Sequence, residues 1–160
     1  MTIRVGDRLP PASFRVMTPD GPAARTTDDV FTGRKVVLVA VPGAFTPTCH
    51  RNHLPGFVER AQEIKAKGVD AIAVTSVNDV FVMDAWAKAT GADGIEFLAD
   101  GNGEFAQAIG LAVDRTASGF GVRSQRYSMV VDDGVVQALN LEEVAGKADI
   151  SGAENLLKGL

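Results

Sequence analysis

Six consecutive apolar residues, Val36-Val37-Leu38-Val39-Ala40-Val41, most of them β-branched, suit a strand covered on both faces. A run without alternation has no side to turn to water, so other layers must lie above and below it. Pro42-Gly43 stops the run. Val69 to Val77 is a second buried strand of the same kind. Between them Phe57, Val58, Ala61 and Ile64 fall on one helical face, which predicts a helix from near Thr48 to about Lys67. Pro55 is expected to kink its first turn, and Gly68 to close it. A strand, a helix and a second strand in this order imply a right-handed crossover and parallel pairing.

The remaining segments add to that centre. Ser13 to Thr18 and Ala23 to Thr27 read as a hairpin around Pro19-Asp20-Gly21. Asn78 or Asp79 caps a helix whose stripe is Val82, Ala85, Trp86 and Ala89, ended by Gly91. Glu96 to Ala99 is a short third strand, and Asn102 caps a helix carrying Phe105 and Ile109. Ala112 to Ser124 reads as a connection. Tyr127 to Asp132 and Val135 to Leu141 flank the hairpin signal Asp132-Asp133-Gly134. Ser151-Gly152-Ala153-Glu154 has capping-box spacing before Leu156, Leu157 and Leu160. The expected fold is α/β, of thioredoxin-like proportions: a mixed central sheet, helices on both faces and an N-terminal β-hairpin. With no repeat and no low-complexity stretch, residues 1–160 read as one domain.

Composition excludes several functions. Sixteen Lys and Arg against twenty Asp and Glu give a net charge of −4, so no basic field holds nucleic acid. No apolar stretch is long enough to span a membrane, and the first residues lack the apolar core of a signal peptide. The expected location is cytoplasmic. One cysteine, Cys49, excludes a disulfide framework and a cysteine-rich zinc site.

Ligands of such folds gather where parallel strands end and helices begin. Pro42-Gly43-Ala44-Phe45-Thr46-Pro47-Thr48-Cys49 occupies that place after the first buried strand. A thiol in the first turn of a helix is lowered in pKa by the unpaired N–H groups and the dipole. From position alone, two roles stand open for Cys49: a small buried hydrophobe or a reactive thiolate. Cys49 and His53 are four residues apart, which also fits a Cys-His acyl-transfer pair, although no orienting Asn or Asp is signalled. Cys49, His50 and His53 crowd too closely for a usual metal site, and no metal or cofactor is expected. Gly119-Phe120-Gly121-x-x-Ser124 falls short of a dinucleotide fingerprint, because no buried strand and helix flank it.

Pro42-x-x-x-Thr46-x-x-Cys49 resembles the active-site pattern of the peroxiredoxins. The longer string from Pro42 to Cys49, with His53-Leu54-Pro55-Gly56-Phe57, is similar to the peroxiredoxin-five-like branch, which includes the plant type II enzymes. The likeness continues through Val77-Asn78-Asp79, Met83-Asp84-Ala85-Trp86, Gly119 to Arg123, Arg126-Tyr127-Ser128-Met129-Val130-Val131 and Asp133-Gly134-Val135-Val136. It covers essentially the whole chain in register.

The resemblance implies a thiol-dependent peroxidase acting on hydrogen peroxide and alkyl hydroperoxides. Cys49 matches the thiolate that attacks peroxide and becomes a sulfenic acid. Thr46 matches the hydroxyl that holds the peroxide in line, Arg126 the guanidinium that favours the thiolate, and Pro42 the residue that shields the site. Arg123 competes with Arg126 at the level of sequence; the Arg-Tyr-Ser-Met match selects Arg126. Thr48, Phe45, Phe120 and His53 are expected around the substrate, His53 by packing or hydrogen bonding. Relatives with a resolving thiol carry it near Ala148-Asp149-Ile150-Ser151, where this sequence has none. The expected reductant is therefore an external thiol, glutathione with glutaredoxin or thioredoxin, and the expected assembly a homodimer. The alternative is a non-catalytic redox sensor or holdase that uses Cys49 as a switch.

Overall fold

The computed structural model describes residues 2–48, 53–143 and 147–160. Strands β1 (Ser13–Thr18) and β2 (Gly21–Thr26) form the N-terminal hairpin and lead into a short helix α1 (Thr27–Phe31). Then come β3 (Lys35–Ala40), α2 (Leu54–Glu59), α3 (Ala61–Ala66), β4 (Ala71–Ser76), α4 (Val80–Thr90), β5 (Ile95–Ala99) and α5 (Glu104–Ala108). The chain continues through β6 (Ala112–Asp114), β7 (Val122–Ser124), β8 (Tyr127–Asp132), β9 (Val135–Leu141) and α6 (Ala153–Lys158).

Among the described residues the main sheet runs β2-β1-β5-β4-β3-β8-β9. Its centre, β5-β4-β3, is parallel, and the strands on either side are antiparallel. Alternate residues of β3 feed opposite cores, as pleating requires. Val37 and Val39 pack with Phe57, Ile64, Met83, Trp86 and Leu156 from the helices on one face. Val36, Leu38 and Ala40 pack with Phe31, Phe105 and Ile109 on the other. The apolar run from Val36 to Val41 is thus buried on both sides, at 1% exposure or less throughout. The Asp132-Asp133-Gly134 turn closes β8–β9 with positive φ at Asp133 (48°) and Gly134 (79°), matching the twist of the paired strands.

Several local expectations give way to tertiary packing. Pro55 falls in the first turn of α2, where its missing N–H costs nothing. The long helix breaks instead at Arg60 (φ −103°, ψ 12°), between α2 and α3. Pro47 and Thr48 are already helical; the helix start expected through Cys49 lies partly outside the described residues. Helix α4 turns Val80, Met83 and Trp86 inward and leaves Ala85 and Ala89 exposed. Trp86 faces inward as expected, and Val80 and Met83 beside it bury more apolar area than Ala85 and Ala89 would. Asn102 does not cap α5: the Asp100 carboxylate, one residue past β5, accepts from the backbone N–H of Phe105 and Ala106 instead. Glycine holds the α6 cap, at Gly152 and without a side-chain bond, because the Ser151 hydroxyl is used elsewhere. The stretch from Ala112 to Ser124 is a two-stranded ribbon, β6–β7, around a 3-10 turn at Thr116–Ser118.

Candidate active site

The loop after β3 and the start of β8 meet because their strands are neighbours: Ala40 of β3 pairs with Tyr127 of β8. Pro42 and Arg126 extend just beyond those paired ends, so residues more than eighty positions apart face one cavity. That cavity, about 250 Å³, is lined by Pro42, Thr46, Pro47, Thr48, Arg115, Phe120 and Arg126. It therefore gathers Pro42, Thr46, Thr48, Phe120 and Arg126, five of the residues singled out from sequence. Cys49 lies outside the described residues, directly after Thr48.

The loop that carries Thr46 is held from outside at two points, Ala44 and Pro42. Asn78 Oδ1 accepts from the Ala44 N–H (3.0 Å) and from the Ser76 hydroxyl (2.5 Å), tying the loop to the end of β4. Arg123 Nη1 donates to the Pro42 carbonyl (3.2 Å), and Arg123 Nε to the Phe120 carbonyl (3.0 Å). The Arg123 guanidinium also lies 5.3 Å from the Phe120 ring centroid. Arg123 thus braces the cavity wall, whereas Arg126 lines the cavity itself. A Cβ at Gly43 would lie 3.0 Å from Arg123 Nη1 and 3.1 Å from Thr46 Cγ2, so any larger residue there crowds both groups. Phe45 adopts positive φ (65°), a conformation that costs a non-glycine residue about 1–2 kcal/mol. Its ring stands outside the cavity lining, 6.4 Å from Trp86 and 46% exposed. The Thr46 hydroxyl donates to the Gly43 carbonyl (2.8 Å), which leaves its oxygen able to accept from a ligand.

Arg126 is 3% exposed, and its Nη1 lies 3.0 Å from His53 Nδ1. A guanidinium can only donate, so Nδ1 accepts and the ring proton sits on Nε2. Nε2 then donates to the Ser151 carbonyl (3.0 Å). Burial, with the nearby Arg126 charge, outweighs that bond and lowers the His53 pKa to about 4. His53 is therefore neutral at pH 7, behind Arg126 rather than on the cavity surface. Its ring also meets Phe57 edge-on at 5.6 Å.

Sequence reasoning passed over Arg115 and gave Asn78 no role at the site. Arg115 directly follows β6, at the tip of the β6–β7 ribbon, a region without apolar periodicity to announce it. Asn78 was visible only as a candidate helix cap, a role that Asp79 fills through the Val82 N–H.

Comparison with known proteins shows what the chain is similar to. The redoxin family model matches residues 4–157. A rice (Oryza sativa subsp. japonica) protein named Peroxiredoxin-2E-2, chloroplastic, is 52% identical over 165 residues, covering 99% of this chain and 73% of the rice protein. Rice Peroxiredoxin-2C is 44% identical over 160 residues, covering 99% of this chain and 98% of its own. Among solved structures, reduced Prx3 in complex with H2O2 from Vibrio vulnificus superposes with a TM-score of 0.94 at 48% identity, covering 99% of each chain.

Proposed function

The chain belongs to the redoxin family as a peroxiredoxin, a thiol-dependent peroxidase, and from that premise we propose how its own residues carry the reaction. Cys49 is the reacting thiol. Its thiolate sulfur attacks one peroxide oxygen, the O–O bond breaks, and the departing oxygen takes a proton to leave as water or alcohol. The sulfur is left as a sulfenic acid. Thr46 accepts a hydrogen bond from the peroxide and keeps it in line with the sulfur. Arg126 lowers the thiol pKa and stabilises the negative charge that develops on the leaving oxygen. Pro42 and Phe120 limit water, and the backbone near Thr48 supplies further donors. The observation that carries this reading is the single cavity in which Pro42, Thr46, Thr48, Phe120 and Arg126 meet.

Recovery uses an external thiol, because no second cysteine occurs in the 160 residues. One thiol condenses with the sulfenic acid, releasing water and forming a mixed disulfide; a second attacks the sulfur of the first, joining the two external thiols in a disulfide and releasing the Cys49 thiol. Glutathione with glutaredoxin, or thioredoxin, fits that chemistry, and hydrogen peroxide and alkyl hydroperoxides fit the small cavity. We place the enzyme in the cytoplasm, whose reduced thiol pool suits a lone cysteine, as a homodimer and as one domain over residues 1–160. Exposed Phe45 and Phe120 beside the site favour such an assembly.

Mass spectrometry after one equivalent of hydrogen peroxide tests the reading. Wild type gains one oxygen at Cys49, or a mixed disulfide when a thiol is present, and Cys49→Ser consumes no peroxide. An unchanged Cys49 mass with the peroxide intact would falsify it. Stopped-flow oxidation at the rate of an ordinary free thiol would instead favour the sensor role.

A further inference from the structure

The strongest unassigned feature is a closed ring of hydrogen bonds that leaves Arg126 by its side chain and returns to it by its backbone. Arg126 Nη1 donates to His53 Nδ1, and His53 Nε2 donates to the Ser151 carbonyl, both at 3.0 Å. The Ser151 backbone N–H and hydroxyl both donate to one oxygen of Glu142, at 2.9 and 2.7 Å. The other Glu142 oxygen takes the Ile150 N–H at 3.3 Å. Finally the Glu142 N–H donates to the Arg126 carbonyl at 3.0 Å. The four side chains are 8% exposed or less. Glu142 directly follows β9 and Arg126 directly precedes β8, so the ring closes the open end of that hairpin.

We propose that Glu142 is a positioning residue for the peroxidase reaction: by fixing Ser151 it holds His53 in the one orientation and tautomer that aims Arg126 at the cavity. Glu142 touches no reacting atom. A carboxylate suits the task because it accepts all three N–H and O–H donors of the 150–151 segment with no proton of its own to oppose them. With Ser151 fixed, its carbonyl faces His53 Nε2 and requires a proton there. Nδ1 is then bare and takes the guanidinium N–H. An amide at position 142 keeps only one accepting oxygen and turns its NH2 toward either the Ser151 donors or the Ile150 N–H, so the 150–151 segment is no longer held by both oxygens. The Ser151 carbonyl then moves, and the preference for the Nε2–H tautomer weakens. Because the ring is buried, water does not replace the lost acceptor.

This inference rests on the assignment of Arg126 above, and its test separates the two. The probes are full-length Glu142→Gln and Arg126→Ala, each checked for a cooperative thermal transition. The measurements are long-range nitrogen–proton NMR spectra of the His53 ring, assigned with a His53→Gln control, and the pH dependence of oxidation by hydrogen peroxide. Glu142→Gln is expected to convert the single Nε2–H tautomer into a mixture. It is also expected to raise the Cys49 titration midpoint and slow oxidation about tenfold, the scale of a small misplacement at a reacting centre. A folded Glu142→Gln with one unaltered tautomer and a wild-type pH–rate profile overturns the proposal. If Glu142→Gln does not fold, Ser151→Ala removes one bond of the ring. It should shift both readouts the same way by about threefold; no shift there overturns the proposal as well. If Arg126→Ala oxidises like wild type, the assignment of Arg126 fails. The His53 spectra still report on the ring independently.

Discussion

The Thr46 hydroxyl gives its only proton to the Gly43 carbonyl, 2.8 Å away, so toward the cavity its oxygen can act only as an acceptor. A hydroperoxide carries an O–H donor, whereas its product oxygen develops as an acceptor. Thr46→Val removes the acceptor without changing volume much and should slow Cys49 oxidation by about 100-fold, in line with the loss of one positioned polar group. Thr46→Ser should stay within severalfold of wild type. Stopped-flow rates for the two variants decide it: a near-wild-type rate for Thr46→Val beside a loss in Thr46→Ser would mean that the γ-methyl, not the hydroxyl, is what matters.

Arg126 binds His53 through one nitrogen while lining the cavity with the same guanidinium, a geometry that an ammonium does not reproduce. Arg126→Lys should therefore behave nearly as badly as Arg126→Ala. Both should raise the Cys49 titration midpoint and lower the oxidation rate by about 100-fold or more. Thiolate absorbance against pH, measured beside the rate, separates the two effects. If Arg123→Lys did this and Arg126→Lys did not, the roles of the two arginines would be exchanged.

The depressed pKa of His53 makes stability depend on pH. Burial lowers it from an ordinary 6.5 to about 4 in the folded chain, so between these values the unfolded chain binds the extra proton. Stability contributed by neutral His53 is complete above pH 6.5. It declines as the pH falls toward 4, by about 3 kcal/mol at most. Urea unfolding midpoints at pH 7 and pH 4.5 should fall further apart for wild type than for His53→Asn. Parallel behaviour of the two would contradict the assigned neutral ring.

Asn78 serves the site from outside it. Asn78→Ala would leave the Ala44 N–H and the Ser76 hydroxyl without their acceptor, a loss of about 1–3 kcal/mol. The loop would then relax toward a conformation that frees Phe45 from its positive φ. Thermal stability and oxidation rate should fall together. Asn78→Asp, which keeps an acceptor in the same place, should restore most of both; failure of that rescue would point to the amide nitrogen instead.

What could be read from sequence divides along physical lines. The run at Val36 to Val41, the Asp133-Gly134 turn and Gly91 at the end of α4 state their structure through short-range rules of apolar pattern and turn chemistry. The site residues were legible because the Pro42-x-x-x-Thr46-x-x-Cys49 spacing is continuous and Arg126 sits in a recognisable stretch. Capping was read less well: Ser151 and Asn102 have the residue type of a cap, but distant or neighbouring carboxylates alter their use. Glu142 reaches Ser151 across nine positions, and no local pattern announces such a pairing. The β6–β7 ribbon was hidden for another reason. Its strands are three residues long and mostly half-buried, too short for alternation to register.

The pairing of Ala40 with Tyr127 joins strands eighty-seven positions apart in the sequence, and both halves of the site hang from that one rung. Closing so long a loop is slow and uphill until the surrounding sheet rewards it. Local helices such as α4 can gain structure beforehand, but the cavity cannot exist before the rung does. Recovery of peroxidase turnover during refolding therefore times the closing of the whole sheet, and a nascent chain becomes a catalyst only once β8 has been synthesised and docked.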